Sequence, residues 1–275
     1  MDERGFLIFA TNHEEIDAAV TLAYSIGSSN KGSKVSLVCP IDNITISQEE
    51  PFDAIIDIPY RYGDKHKNES IWQVYWSTPY EHTIVIDCNS IVKQNFDSTW
   101  DYLIDHHDMC VGKSITDFRL SEKIDLEVLN EYNLSFANSN IFYFKKDSDL
   151  ALKFFKLLDP YLQSYREVFS TYIQPQHHPK TLDLNLMFSI VLQHLDVYDE
   201  CTPLHPDILQ SIDMEIVQST MTEPWINKFN IWYNQSNNIK IQNYAISGCL
   251  HYRLPEFLTK DIENGQREYY RLVTK

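Results

Sequence analysis

Short apolar runs separated by polar loops dominate the first ninety residues. Residues 6–9 are an apolar run that ends at Ala10-Thr11-Asn12, the pattern of a buried strand followed by a polar loop. Glu14 and Glu15 then supply the negative charge that a helix N-terminus favours, and Ile16, Ala19, Val20, Ala23 and Ile26 recur at helical spacing up to Gly27. Two further runs, residues 35–39 closed by Pro40 and residues 54–58 closed by Pro59, are short, branched and apolar. Strands covered on both faces have this character. A strand, a helix and two more strands predict the opening of an α/β domain.

The pattern continues with a helix over residues 70–77, heavily aromatic on its inner side and stopped before Pro79. A strand over residues 83–86 runs straight into Asp87, and residues 109–111 and 139–144 are further strand candidates. Helices are expected over 149–158 and from Asp183 to Leu195. Between Cys201 and Tyr244 the periodicity weakens and predicts only short elements. Residues 248–255 then lead into a polar, helical tail. No repeat or linker interrupts the chain, so a single domain over 1–275 is the economical reading.

Composition narrows the partners. Hydrophobic residues at 43% and charged residues at 23% of 275 are the balance of a packed globule, and 23 basic against 39 acidic residues leave a net charge of -16. Such a chain repels polyanions, so nonspecific nucleic-acid binding is not expected. No apolar stretch approaches the roughly 18 residues of a membrane span, and the start lacks a signal-peptide pattern. No membrane association and a cytoplasmic location are therefore expected. The five cysteines are odd in number and form no CxxC pair, as reduced thiols do.

Candidate chemistry gathers at strand ends. Ala10-Thr11-Asn12-His13 contains no glycine, so neither a GxGxxG fingerprint nor a P-loop is present. Ligands of open α/β sheets nevertheless sit outside the carboxyl ends of the strands, where Thr11 and Asn12 lie. After the strand at 83–86, Asp87 and Asn89 stand one residue apart on an extended segment and point the same way. Two oxygen ligands so placed suit a hard divalent ion completed by substrate phosphates. The alternative for Asp87 is a cap or turn residue.

These pieces, in order, resemble the GT-A class of nucleotide-sugar glycosyltransferases, and most closely the glycosyltransferase-like proteins of tailed phages. The resemblance is carried by Arg4-Gly5-Phe6-Leu7-Ile8-Phe9-Ala10, Glu15-Ile16-Asp17, Thr78-Pro79-Tyr80-Glu81 leading to Asp87-Cys88-Asn89, and Ile141-Phe142-Tyr143-Phe144-Lys145-Lys146, over residues 4–200. It implies a GT-A-like (Rossmann-like) mixed, mostly parallel sheet flanked by helices. A nucleotide-sugar-binding half would span about 1–92, an acceptor half 93–255 and a C-terminal tail 256–275. The donor, a UDP-sugar, would lie at Ala10, Thr11, Asn12 and Asp87, with Mn2+ or Mg2+ held by Asp87, Asn89 and, late in the chain, His251.

Two departures from that family are visible. The motif reads D-C-N rather than D-x-D, which keeps an oxygen ligand but removes one negative charge. Ile71 stands where a basic residue usually faces the diphosphate, and Lys65 and Lys67 are the nearest substitutes. Asp183, opening an apolar helix, is the candidate base or acceptor-orienting group, with a plain helix-terminal charge as its alternative. His251 has a satisfied core or surface side chain as its own alternative. The expected activity is sugar transfer to a hydroxyl of a glycan, a protein, a small molecule or a hydroxymethylated base of phage DNA. A rival from another class is a nucleotide-binding protein that keeps this fold without catalysis. For a phage-encoded chain the cytoplasm would be the host's.

Overall fold

The apolar run at 6–9 is the inner part of strand β1 (Asp2–Phe9), and the helix after it is α1 (His13–Ser29). A computed structural model describes residues 2–45, 48–60, 67–116, 131–205, 207–213, 230–234, 238–252 and 255–274. Asn12 sits in extended conformation as the N-cap of α1, its side chain accepting the Glu15 N–H. Strands β2 (Val35–Cys39) and β3 (Ala54–Asp57) follow as expected.

The aromatic helix starts three residues early. It consists of helix α2 (Lys67–Ser70), a 3₁₀ turn over Ile71–Gln73 and helix α3 (Val74–Ser77). Ile71, Trp72, Val74 and Tyr75 are all buried, and the tighter middle turn turns them together toward the core. Next come β4 (Tyr80–Asp87), β5 (Ser90–Val92), helix α4 (Asp97–His106), β6 (Met109–Gly112), β7 (Ile115–Thr116) and β8 (Asn138–Lys145). The pattern missed α4 because only Trp100 and Leu103 of its ten residues are buried, too few for a clear stripe. Helices α5 (Asp149–Gln163), α6 (Tyr165–Tyr172) and α7 (Leu184–Leu195) lead to the short strand β9 (Ser211–Asp213). A small three-stranded sheet, β10 (Ile231–Tyr233), β11 (Ile239–Ile241) and β12 (Tyr244–Ala245), precedes β13 (Cys249–His251) and helix α8 (Lys260–Val273).

The main sheet has the order β3-β2-β1-β4-β8-β6, parallel from β3 to β4 and antiparallel across β4–β8 and β8–β6. Alternation along its strands divides the core. Leu7, Phe9, Val85, Phe142 and Phe144 face α5 and α7, whereas Phe6, Ile8, Ile84, Ile86 and Tyr143 face α1 and α4. The result is a mixed, mostly parallel sheet with helices on both faces. Strands from the expected donor half (β4) and acceptor half (β8, β6) share this one sheet.

A second sheet, β5-β13-β9-β7, is built from short pieces that lie far apart in sequence. The segment expected as a tail is docked: Tyr270 of α8 lies 5.2 Å from the Tyr24 ring of α1, and Arg271 Nε donates to Glu50 Oε1 at 2.8 Å. All five cysteines are buried and free, and no helix among the described residues is long and apolar enough to cross a membrane.

One close approach yields a test of the packing. At the irregularity between Val111 and Gly112, the register of β6 against β8 shifts, and a Cβ on Gly112 would collide with the Leu209 carbonyl. Because that obstacle is backbone, Gly112→Ala is expected to lower stability by about 1–3 kcal/mol, the usual cost of overpacking. Urea unfolding with an unchanged m-value checks it.

Candidate active site

Strand order alone locates a cleft. Strand β1 is followed by β2 on one side while β4 lies on the other, so the chain changes direction across the sheet between β1 and β4. Ligands of open α/β sheets bind at the carboxyl ends of strands beside such a switch. Phe9 pairs with Asp87 in register, which brings the Ala10-Thr11 loop and Asp87 to the same edge. A cleft of about 490 Å³ opens there, lined by Glu15, Lys67, Asp87, Asn89 and His251 together with Ser139, Asn140 and Asn185.

The loop after β1 reaches the cleft indirectly. Ala10 is buried and its N–H donates to Val38 O; Thr11 donates from both N and Oγ1 to Glu15 Oε2, at 2.7 and 2.8 Å; Asn12 caps α1. Ala10, Thr11 and Asn12 are therefore absent from the lining, and Glu15 is what this loop presents. Of the two lysines expected to replace the missing basic residue, Lys67 lines the cleft, and Lys65 lies outside the described residues.

Asp87 is the centre of a chain of charges that runs from the cleft into the buried His251 and Asp213. Its Oδ2 accepts from Lys67 Nζ at 2.7 Å, and its Oδ1 accepts the Asn89 N–H at 2.9 Å in a turn one residue beyond the strand. His251 Nε2 stands 3.5 Å from Oδ1, and its other nitrogen, Nδ1, lies 3.0 Å from Asp213 Oδ2. Asn140 Nδ2 donates to the same Asp213 oxygen at 3.1 Å. Backbone pairing sets this geometry: His251 is opposite Ser90 in the β13–β5 ladder and opposite Asp213 in β13–β9, and Tyr252 N donates to Asn89 O.

Electrostatics follow from the neighbours. Burial alone would push the His251 imidazole down, but the Asp213 carboxylate and then Asp87 outweigh it and raise its pKa to about 9. Burial would likewise raise the Asp87 carboxyl, yet Lys67 and then His251 hold it well below the usual carboxylate range. Lys67 in turn loses by burial and gains more from Asp87, so its ammonium is held above the ordinary lysine value. Two carboxylates and two cations balance one another.

The donor set departs from the one expected for a metal. Asp87, Asn89 and His251 do converge, but Asp87 directs its oxygens at Lys67, Asn89 N–H and His251, and both His251 nitrogens face carboxylates. The Asp213 contact at Nδ1 is one that a coordinating imidazole also has, so what opposes a cation here is the Lys67 ammonium on Asp87 Oδ2 and the single carboxylate of the motif. Among the described residues no group of three or more His, Cys, Asp or Glu side chains could hold a metal ion. With Lys67 seated on Asp87 Oδ2 and Asn89 in place of a second carboxylate, this arrangement is a poor fit for a hard divalent cation.

Asp183 is the N-cap of α7, its Oδ1 accepting the Leu186 N–H at 3.1 Å. Lys180, Thr181, Leu182, Leu184 and Asn185 line the cleft around it, while Asp183 itself does not. A capping carboxylate turned onto its own helix is poorly placed as a base for a hydroxyl in the cleft. The residues that pattern reading missed are Glu15, Asn140, Asn185 and Asp213. Glu15 carried a signal, sitting three residues after a cap, and was read only as helix-terminal charge.

The architecture, a mixed and mostly parallel sheet with helices on both faces and a cleft at its switch point, is GT-A-like and is shared with glycosyltransferases of known structure. Over all of its length the chain is similar to the galactosyltransferase LgtC, solved in complex with donor and acceptor sugar analogs, with a TM-score of 0.54, 10% identity and 97% of that chain covered. An active-site glutamine-to-glutamate variant of LgtC gives a TM-score of 0.52 with 10% identity, again over 100% of this chain and 97% of the other. The glycosyltransferase GlyE of Streptococcus pneumoniae TIGR4 gives 0.52 with 10% identity, and this chain, fully covered, spans 62% of it. At such identities the likeness is one of fold. No family model and no curated protein matches the sequence.

Two substitutions separate structural from chemical roles. Asp183→Ala is expected to cost about 0.5–2 kcal/mol of stability, the range for a lost N-cap, with turnover per folded molecule nearly unchanged. A loss of turnover beyond about a hundredfold would restore it as acid or base. Asp213→Ala strips His251 of its nearer carboxylate and is expected to cost about 3–5 kcal/mol, as breaking a buried ion pair does. Chemical denaturation measures both.

Proposed function

We propose that this chain is a nucleotide-sugar-dependent glycosyltransferase. The observation that carries the reading is Asp87 at the carboxyl end of β4, in a cleft at the switch point of the sheet of a chain whose fold is similar over its whole length to a solved glycosyltransferase. In the reaction the bond from the sugar anomeric carbon to the diphosphate oxygen breaks, its electron pair leaving with the nucleoside diphosphate. A bond from that carbon to the acceptor oxygen forms, and the hydroxyl proton is released. The chain's part is to hold both substrates in line and to stabilise the departing diphosphate.

On this reading the sugar nucleotide lies against Lys67 and Asp87 and the acceptor near Ser139, Asn185 and Lys180, all of which line the cleft. A UDP-sugar is the donor favoured by the resemblance. The net charge of -16 favours a glycan, protein or small-molecule acceptor over DNA, and the likeness to phage proteins keeps hydroxymethylated bases among the acceptors to screen. Divalent metal, expected from the family, has weak support here because the donor set at Asp87 is already committed to Lys67 and His251.

A second reading, nucleotide binding without catalysis, is favoured by one observation: Asn89 stands in place of a second carboxylate and Asp87 is masked by an ion pair. Turnover separates the two. The purified chain is expected to release UDP from a panel of UDP-sugars, faster with an acceptor present, and to melt at higher temperature with UDP by mass action. Stabilisation without release of UDP from any sugar would leave the binding protein; the absence of stabilisation by any nucleoside diphosphate would sink both.

A further inference from the structure

Lys67 is more deeply held in the cleft lining than the other lysine and arginine side chains described there, Arg166 and Lys180, which are exposed. Its side chain is 11% exposed, its Nζ lies 2.7 Å from Asp87 Oδ2 and 3.2 Å from Cys88 Sγ, and it still borders the cleft. An ammonium has three donors. Asp87 and Cys88 account for two, which leaves the third for the space that Lys67 lines.

The surroundings make this position one for a resident positive charge. A hard divalent cation is ordinarily held by carboxylates and completed by substrate phosphates. Here the motif offers one carboxylate, Asp87, and Lys67 already shares its Oδ2; the second place is the neutral Asn89 amide. His251, the third expected ligand, is wedged between Asp87 and Asp213, with Asn140 completing the Asp213 oxygen. Glu15 and Glu69 also line the cleft, so bare anion binding would be unfavourable without cations, and Lys67, Arg166 and Lys180 are the lysine and arginine side chains described as bordering it.

Resting on the glycosyltransferase reading above, we propose that the Lys67 ammonium takes the place of the divalent cation at Asp87, so that the cleft binds the diphosphate of a sugar nucleotide without metal. Asp87 then acts as a positioning residue: it holds Lys67 rather than a metal. Lysine is a point-charge phosphate ligand, and one anchored by a buried carboxylate loses little freedom on binding. The loss of a second carboxylate at Asn89 and the gain of a buried lysine at position 67 become one change rather than two defects.

Isothermal titration of the full chain with UDP, GDP, ADP and CDP, in EDTA and in manganese, tests it. Wild type is expected to bind its preferred nucleotide with affinities within about threefold in the two conditions, where a metal-bridged diphosphate would lose most of its binding in EDTA. Lys67→Met is expected to lose about tenfold or more in EDTA, as removal of a charged hydrogen bond to phosphate does, and to recover part of it with manganese because Asp87 is then uncovered. Lys67→Arg, which keeps the pair with Asp87, guards against a folding defect and should retain metal-free binding. Wild-type binding that EDTA abolishes overturns this proposal and leaves the glycosyltransferase reading standing. Binding of no nucleoside diphosphate in either condition overturns both.

Discussion

A carboxylate largely withdrawn from water must be paired, and the pairing of Asp87 ties together four separate elements around the cleft. Charges taken out of water are costly unless opposite charges and hydrogen bonds surround them. Lys67, Asp87, His251 and Asp213 meet that demand as an alternating series, closed at one end by Asn140. Each member comes from a different element: α2, the end of β4, β13 and β9. The second sheet keeps His251 and Asp213 in register, the main sheet ends β4 at Asp87, and the 3₁₀ turn after Lys67 anchors the fourth through buried Ile71 and Trp72. Weakening any one pairing leaves another charge without its counterpart.

The larger sheet sets the stage without supplying the chemistry. Its apolar alternation fixes which side chains face α1 and α4 and which face α5 and α7, and it brings the ends of β1 and β4 level. Polar groups at those ends are then available for a ligand or for local order. After β1 they are used for local order: Thr11 and Asn12 are bound to the first turn of α1. After β4 they face the cleft. The same architectural rule thus gives two loops with different duties, and only side-chain chemistry tells them apart.

Legibility followed sequence distance. Strands β1, β2, β4 and β8 and helices α1 and α7 could be read because each carries its own periodic stripe, and Asp87 could be singled out because it ends one of them. His251 was visible as a histidine after a strand-like approach. Its partner was not: Asp213 lies in a three-residue strand within a stretch that lacks periodicity, and nothing local shows that Ser211, Cys249 and Val92 will lie side by side. Lys67 was visible as a nearby basic residue, but the ion pair it makes depends on where α2 turns. Asp183 shows the converse: it was placed at the start of its helix, while the direction of its carboxyl, onto Leu186 N–H rather than the cleft, needed coordinates.

The pairing of β13 with β5 and β9 also decides which parts of the chain can reach the site. Strands β1 to β4 meet through connections of modest length, whereas His251 reaches Asp87 only through a much longer loop. A substitution in the weakly patterned stretch around β9 or β13 therefore acts on Asp87 from far along the chain, through His251, while the strands of the central sheet keep their own pairing. Remote positions in sequence are, at this cleft, next-door neighbours.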